Sequence, residues 1–168
     1  MWSHRKACLL MLAVFLGLAN MGQIQSVGPR MLVLLTPEEA AQLRLTEEEW
    51  QPLTRLRTVS LGPRIVIKRP PVKDAADGPT IETVSPTEFM IFFEENRAPV
   101  DMNSLQIEAK KWLFTISLTP RLRPYIQGTS LQAKGVQAPE GSFVIQIEIA
   151  DVAGAKTVGT YRLMARGR

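Results

Sequence analysis

Between Phe143 and Ala150 the side chains alternate strictly, with Phe143, Ile145, Ile147 and Ile149 on one face and Val144, Gln146, Glu148 and Ala150 on the other. That period of two predicts a half-buried strand. Pro139-Glu140-Gly141-Ser142 reads as the tight turn ahead of it, and Asp151 to Gly154 as a hairpin turn into a last strand, Thr157–Met164, in which Tyr161 and Leu163 alternate. Phe89–Phe93 is the most apolar strand, and Phe89, Ile91 and Phe93 share the face expected in the core. Further strands are expected at Arg64–Lys68, Thr80–Val84, Leu105–Ala109, Trp112–Leu118 and Ser130–Val136. Pro70–Pro79 is rich in turn residues and reads as loop, and Thr119–Ile126, with two prolines, as a turn or short helix capping one end. Short strands at roughly ten-residue spacing predict an all-β sandwich of about seven strands rather than an α/β fold.

The amino-terminal third follows a helical pattern. Thr36-Pro37-Glu38-Glu39 offers an N-cap, a proline at the first helical position and a glutamate at the third, which is a capping box. Thr46-Glu47-Glu48-Glu49 repeats it, with Leu45 and Trp50 spaced as a hydrophobic staple, so short helical turns are expected around Leu43 and Leu45, ending near Pro52. Neither is long enough to be stable alone in water, so they dock on the sandwich or on a partner, or remain mobile. Met31–Leu35 reads as an added edge strand or as packing for these helices. Trp112 is assigned to the core and Tyr125 to the end cap.

From Gly62 onward the chain resembles the small bacterial immunoglobulin-like domains of exported, uncharacterised periplasmic proteins. The residues that carry the resemblance are Ile65-Val66-Ile67 followed by proline, an apolar strand before Ala98-Pro99-Val100-Asp101, Ser104-Leu105, Leu118-Thr119-Pro120-Arg121, and the Pro139-x-Gly141 turn with Asp151-x-x-Gly154. These are structural signposts and transfer no catalytic residue. The resemblance implies an immunoglobulin-like sandwich with a short helical extension, acting in adhesion, scaffolding or ligand contact. Trp112 lacks the flanking cysteines of antibody domains.

Composition narrows the chemistry. Arg5 and Lys6 precede an uncharged apolar run, Ala7 to Ala19, the pattern of a secretory signal peptide; residues 1–26 are expected to be removed, leaving 27–61 as helical extension and linker and 62–168 as the sandwich. That segment holds the single histidine, His4, and the single cysteine, Cys8. The remaining chain would lack a Ser-His-Asp triad, a Cys-His pair, a zinc site of the usual ligands and a disulfide. About 140 residues are enough for one core without such staples. Loss of Arg5 and Lys6 takes the formal charge from +4 to +2, with both signs mixed, which argues against nucleic acid as a partner.

Several clusters invite a functional assignment. Glu47-Glu48-Glu49 and Glu94-Glu95 fall short of a glycosidase pair, because glutamates in a first helical turn complement its dipole. Ser104 with Lys110 or Lys111 forms no recognisable hydrolase motif. Asp151 is expected to turn the hairpin; its rival role is a calcium ligand with Asp74, Asp77 or Asp101. The basic residues Lys110, Lys111, Arg121 and Arg123, with the tail arginines Arg162, Arg166 and Arg168, read as charges on strand edges and termini, or as contacts for anionic lipid or glycan. Trp50 is expected to pack on the sandwich as a staple or core plug, the commoner fate of such an aromatic residue, or else to anchor the segment in a partner's groove, with Leu43 as the other candidate contact. The expectation is a periplasmic or secreted, non-catalytic binding or scaffolding module without cofactor or metal, contacting an envelope protein through exposed strand edges or the helical extension. Its alternative is a domain contacting carbohydrate or lipid headgroups through Lys110 to Arg123.

Overall fold

A computed structural model describes residues 31–49 and 60–167. The expected signal peptide, Trp50 and most of the expected linker lie outside them.

Among the described residues ten strands and two short helices follow one another as α1 (Pro37–Leu43), β1 (Arg64–Arg69), β2 (Val72–Ala75), β3 (Gly78–Val84), β4 (Thr87–Glu94), β5 (Val100–Lys111), β6 (Phe114–Ser117), α2 (Thr119–Leu122), β7 (Ile126–Gln127), β8 (Ser130–Val136), β9 (Gly141–Asp151) and β10 (Lys156–Arg166). One sheet has the order β1-β4-β8-β7 and the other β2-β3-β10-β9-β5-β6. Assigning the letters A, B, C, C′, D, E, F and G to β1, β4, β5, β6, β7, β8, β9 and β10 gives A-B-E-D facing G-F-C-C′. That is the strand order of an immunoglobulin-like sandwich, so the all-β expectation holds on topology. β3 and β6 fall on the strands expected at Thr80–Val84 and Trp112–Leu118, and the strands without an expected counterpart are β2 and β7.

The β2–β3 hairpin corrects the expectation of a loop across Pro70–Pro79. Val72 pairs with Ile81 and Asp74 with Pro79, and the chain turns through Ala76-Asp77 into Gly78, whose φ of 121° suits glycine. Pro79 breaks no ladder on its other side, because the parallel pairing of β3 with β10 begins one residue later, at Thr80 opposite Arg162.

Trp112 is the second correction. Lys111 pairs with Phe114, so Trp112-Leu113 is the two-residue loop of the β5–β6 hairpin rather than part of a strand. Trp112 has a φ of 53°, which such turns demand, and is 82% exposed. The inward positions of β5 are filled by Leu105, Ile107 and Ala109.

The core forms where β4 (Phe89, Ile91, Phe93) meets β9 (Phe143, Ile145, Ile147, Ile149), with Leu131 and Leu163 beside them. Tyr125 packs against this cluster from the 3-10 turn Arg123–Tyr125, as expected of an end cap. Leu34, Leu35, Ala40 and Leu43 of the amino-terminal segment belong to the same core. The capping box of α1 is closed, with Glu39 N–H donating to Thr36 Oγ1 (3.3 Å) and Thr36 N–H to Glu39 Oε2 (2.8 Å), and the helix buries Ala40 and Leu43. Before it, Leu34 N–H donates to Gln137 O and Gln137 N–H to Leu32 O; after it, Leu45 N–H donates to Ser142 O. The helix is thereby sutured at both ends to the chain that enters β9.

Candidate functional site

Most of the cations expected to form a basic surface are engaged within the chain. Arg121, on α2, forks onto Glu39, with Nη1 2.7 Å from Oε2 and Nη2 2.5 Å from Oε1, and Nη1 also donates to Leu34 O at 2.8 Å. The Arg121 hydrogen bonds hold the Glu39 carboxyl below the usual carboxylate range against the opposing effect of burial, and Glu39 raises Arg121 in turn. Lys111, at the end of β5, donates to Arg44 O (2.7 Å) and pairs with Glu49 (2.9 Å). Glu49 also accepts from Thr46 N–H, and this backbone bond, followed by Lys111, lowers its pKa. The second capping box is thus formed at Thr46 and Glu49. Lys110 pairs with Glu108 at 3.0 Å, and Arg123 is exposed.

Arg162 departs furthest from its expected place among edge charges. β3 pairs along the far side of β10, so β10 is an interior strand and the Arg162 side chain is only 7% exposed. It donates to Glu47 Oε1 (2.6 Å) and Asp77 Oδ2 (3.1 Å). Three acidic residues of the amino-terminal segment, Glu39, Glu47 and Glu49, therefore meet cations from α2, β10 and β5. With Glu94 paired to Arg64 at 3.0 Å, three of the glutamates considered for sugar chemistry, Glu47, Glu49 and Glu94, serve ion pairs or a cap.

Leu43 is fully buried, so its side chain has no surface left for a partner. Asp151 is buried too, and its Oδ1 accepts from Ala153 N–H (3.0 Å) and Ala155 N–H (2.8 Å), which closes the β9–β10 hairpin with Gly154 at φ 87°. Among the described residues no group of three or more His, Cys, Asp or Glu side chains is arranged to hold a metal ion. An apolar void of about 30 Å³ lies within the core, and a shallow groove runs beside α1 past Pro37, Arg44 and Gln137. Neither gathers catalytic groups.

The feature that sequence reasoning missed is the tip of the β5–β6 hairpin. Trp112, Leu113 and Phe114 are 82%, 98% and 57% exposed, three large apolar side chains in succession. A signal was present: after Ala109 the alternation stops at Lys110-Lys111, and three apolar residues in a row fit no period of two.

No family model and no curated protein matches the chain. Among solved structures, CopC from Methylosinus trichosporium OB3b is 15% identical and aligns over 63% of this chain and 95% of its own, with a TM-score of 0.37. Murine CRIg is 9% identical over 61% of this chain and 98% of its own, with a TM-score of 0.34. The fold assignment rests on strand order and register, and these scores add nothing to it.

Proposed function

We propose that the protein is a non-catalytic, exported binding module of the cell envelope whose contact surface is the apolar tip of the β5–β6 hairpin. The observation that carries this reading is the run of exposed Trp112, Leu113 and Phe114 at a protruding turn, since clustered apolar exposure on a folded domain marks a contact site. Docking by strand addition has less support. β2 and β6 have four residues each and β7 two, while the six-residue edge of β1 carries Arg64, Lys68 and Arg69, which discourage pairing. Capture of an anionic ligand by Lys110, Lys111, Arg121 and Arg123 also loses support, because three of the four are in ion pairs.

Export is supported by the basic-then-apolar leader composition, and the non-catalytic assignment by a sequence whose single histidine and single cysteine both fall in that leader. Among the described residues no helix is long and apolar enough to cross a membrane. The test is a triple replacement of Trp112, Leu113 and Phe114 by serine in the expressing cell. The variant is expected to keep its melting temperature and to lose its attachment to the envelope fraction. Attachment equal to that of the unaltered chain would show that the contact surface lies elsewhere.

A further inference from the structure

Resting on that reading of the tip, we infer that its ligand is the interfacial region of a lipid bilayer, entered by the side chains of Trp112, Leu113 and Phe114. Shape is the first argument. The three residues occupy and adjoin a two-residue turn, so they form a convex knob, and a knob of this size falls short of a stable protein interface. Aromatic side chains bury about 150–250 Å² each, whereas a specific complex buries about 800 Å² per partner. A bilayer demands no complementary surface around the knob. Residue type is the second argument: tryptophan and phenylalanine beside lysine is the composition favoured at the water–lipid boundary, where the ring enters and the ammonium stays at headgroup level.

The ion pairs then fix what kind of membrane binding this is. Between Glu108 and Ser117 there are two lysines and one carboxylate; Lys110 is paired with Glu108, and Lys111 with Glu49. Little net charge remains at the base of the tip, so apolar insertion dominates and headgroup charge contributes weakly. Binding is expected to differ by no more than a few-fold between zwitterionic and anionic vesicles and to survive raised salt, unlike binding by a basic patch. One small knob gives a weak, reversible association.

The experiment uses the full chain with Trp2 and Trp50 replaced by phenylalanine, so that Trp112 alone fluoresces and a membrane-bound leader is silent. Phosphatidylcholine vesicles, with and without phosphatidylglycerol and with brominated acyl chains as quencher, are the probe. Trp112 emission is expected to move to the blue and to be quenched by the brominated chains, several-fold less when Leu113 and Phe114 are both serine. Unchanged Trp112 emission and unchanged access to an aqueous quencher, in vesicles with or without phosphatidylglycerol, would overturn the inference, and this holds whether or not the serine variant folds. A photo-crosslinker at position 113 that captures an envelope protein while the vesicles give no signal refutes the bilayer and leaves the binding module standing. No tip-dependent contact with either refutes both.

Discussion

Arg121 offers the sharpest test of whether the basic residues act inward or outward. Its guanidinium makes two hydrogen bonds to Glu39 and one to Leu34 O, and the two side chains are 30% and 22% exposed. The pair lies between the surface case, worth about 0–1 kcal/mol, and fully desolvated charge-assisted bonds at about 1.5–3 kcal/mol each. A coupling of about 2 kcal/mol is the resulting expectation, and leaving Leu34 O without its donor adds about 1 kcal/mol. R121M should therefore cost about 3 kcal/mol, E39Q about 2 kcal/mol and the double variant about 3 kcal/mol. The single R121M change should lower the melting temperature by roughly 6–12 °C. Urea unfolding of the four proteins, followed by circular dichroism, measures the cycle. The pH dependence carries a sign of its own. Glu39 titrates below its ordinary value in the folded chain, so its contribution is complete above the ordinary glutamate range and is lost as pH falls through the depressed value. The gap between the unaltered chain and R121M should close in acid. A coupling below about 0.5 kcal/mol would refute the inward assignment and return Arg121 to the surface as a ligand-binding cation.

Leu43→Ala empties a fully buried position where α1 meets the sandwich and should cost about 2–5 kcal/mol by urea unfolding; a cost under about 1 kcal/mol would mean that the helix is not part of the core. Gly62→Ala places a Cβ 2.5 Å from Ala155 O and 2.7 Å from the Lys156 carbonyl carbon, backbone that has no rotamer to yield, so a loss of about 1–3 kcal/mol is expected in the same assay. Asp151→Ala strips two hairpin N–H groups of their acceptor and should cost about 2 kcal/mol, while calcium should leave the melting temperature of the unaltered chain unchanged; a calcium shift that persists at high salt would revive the metal role. Burial raises the pKa of Tyr161, so stability held below about pH 10 should fall as pH rises beyond it. Tyr161→Phe should flatten that slope, seen as a melting temperature that no longer declines in alkali.

What was legible in the sequence was local. The faces of β4 and β9 follow from a period of two, and both capping boxes from a spacing of three, because the partners lie on the same turn or strand. Two of the misread elements needed a distant neighbour. The Asp77-Gly78 hairpin signal was present, but the surrounding prolines argued for loop, and only the parallel pairing with β10 gives β3 its place. Arg162 read as an edge charge because nothing near it in sequence covers it; its acceptors Asp77 and Glu47 lie 85 and 115 residues away. Trp112 went astray for a different reason. An aromatic residue after a core strand is commonly buried, and that expectation outweighed the break in alternation at Lys110-Lys111 that marks the turn.

The amino-terminal segment and the tip are connected through Lys111. A seven-residue helix contributes little stability of its own, so burial of Leu34, Leu35, Ala40 and Leu43 must supply the adhesion. Apolar burial alone is indifferent to small slips along the surface it covers. The backbone bonds of Leu34 and Leu45 to Gln137 and Ser142 remove that freedom, and the pairs of Glu39, Glu47 and Glu49 with cations on α2, β10 and β5 add to them. Lys111 is the cation that stands directly before Trp112, and its bonds to Glu49 and Arg44 O tie the root of the hairpin to a segment that is itself fixed at several points. A short loop on a root held in this way presents its three apolar side chains from a backbone that needs no further ordering at the moment of contact, leaving only side-chain rotamers to fix. Cations turned inward and apolar residues turned outward are thus one arrangement, in which the first hold the base of the hairpin so that the second can project.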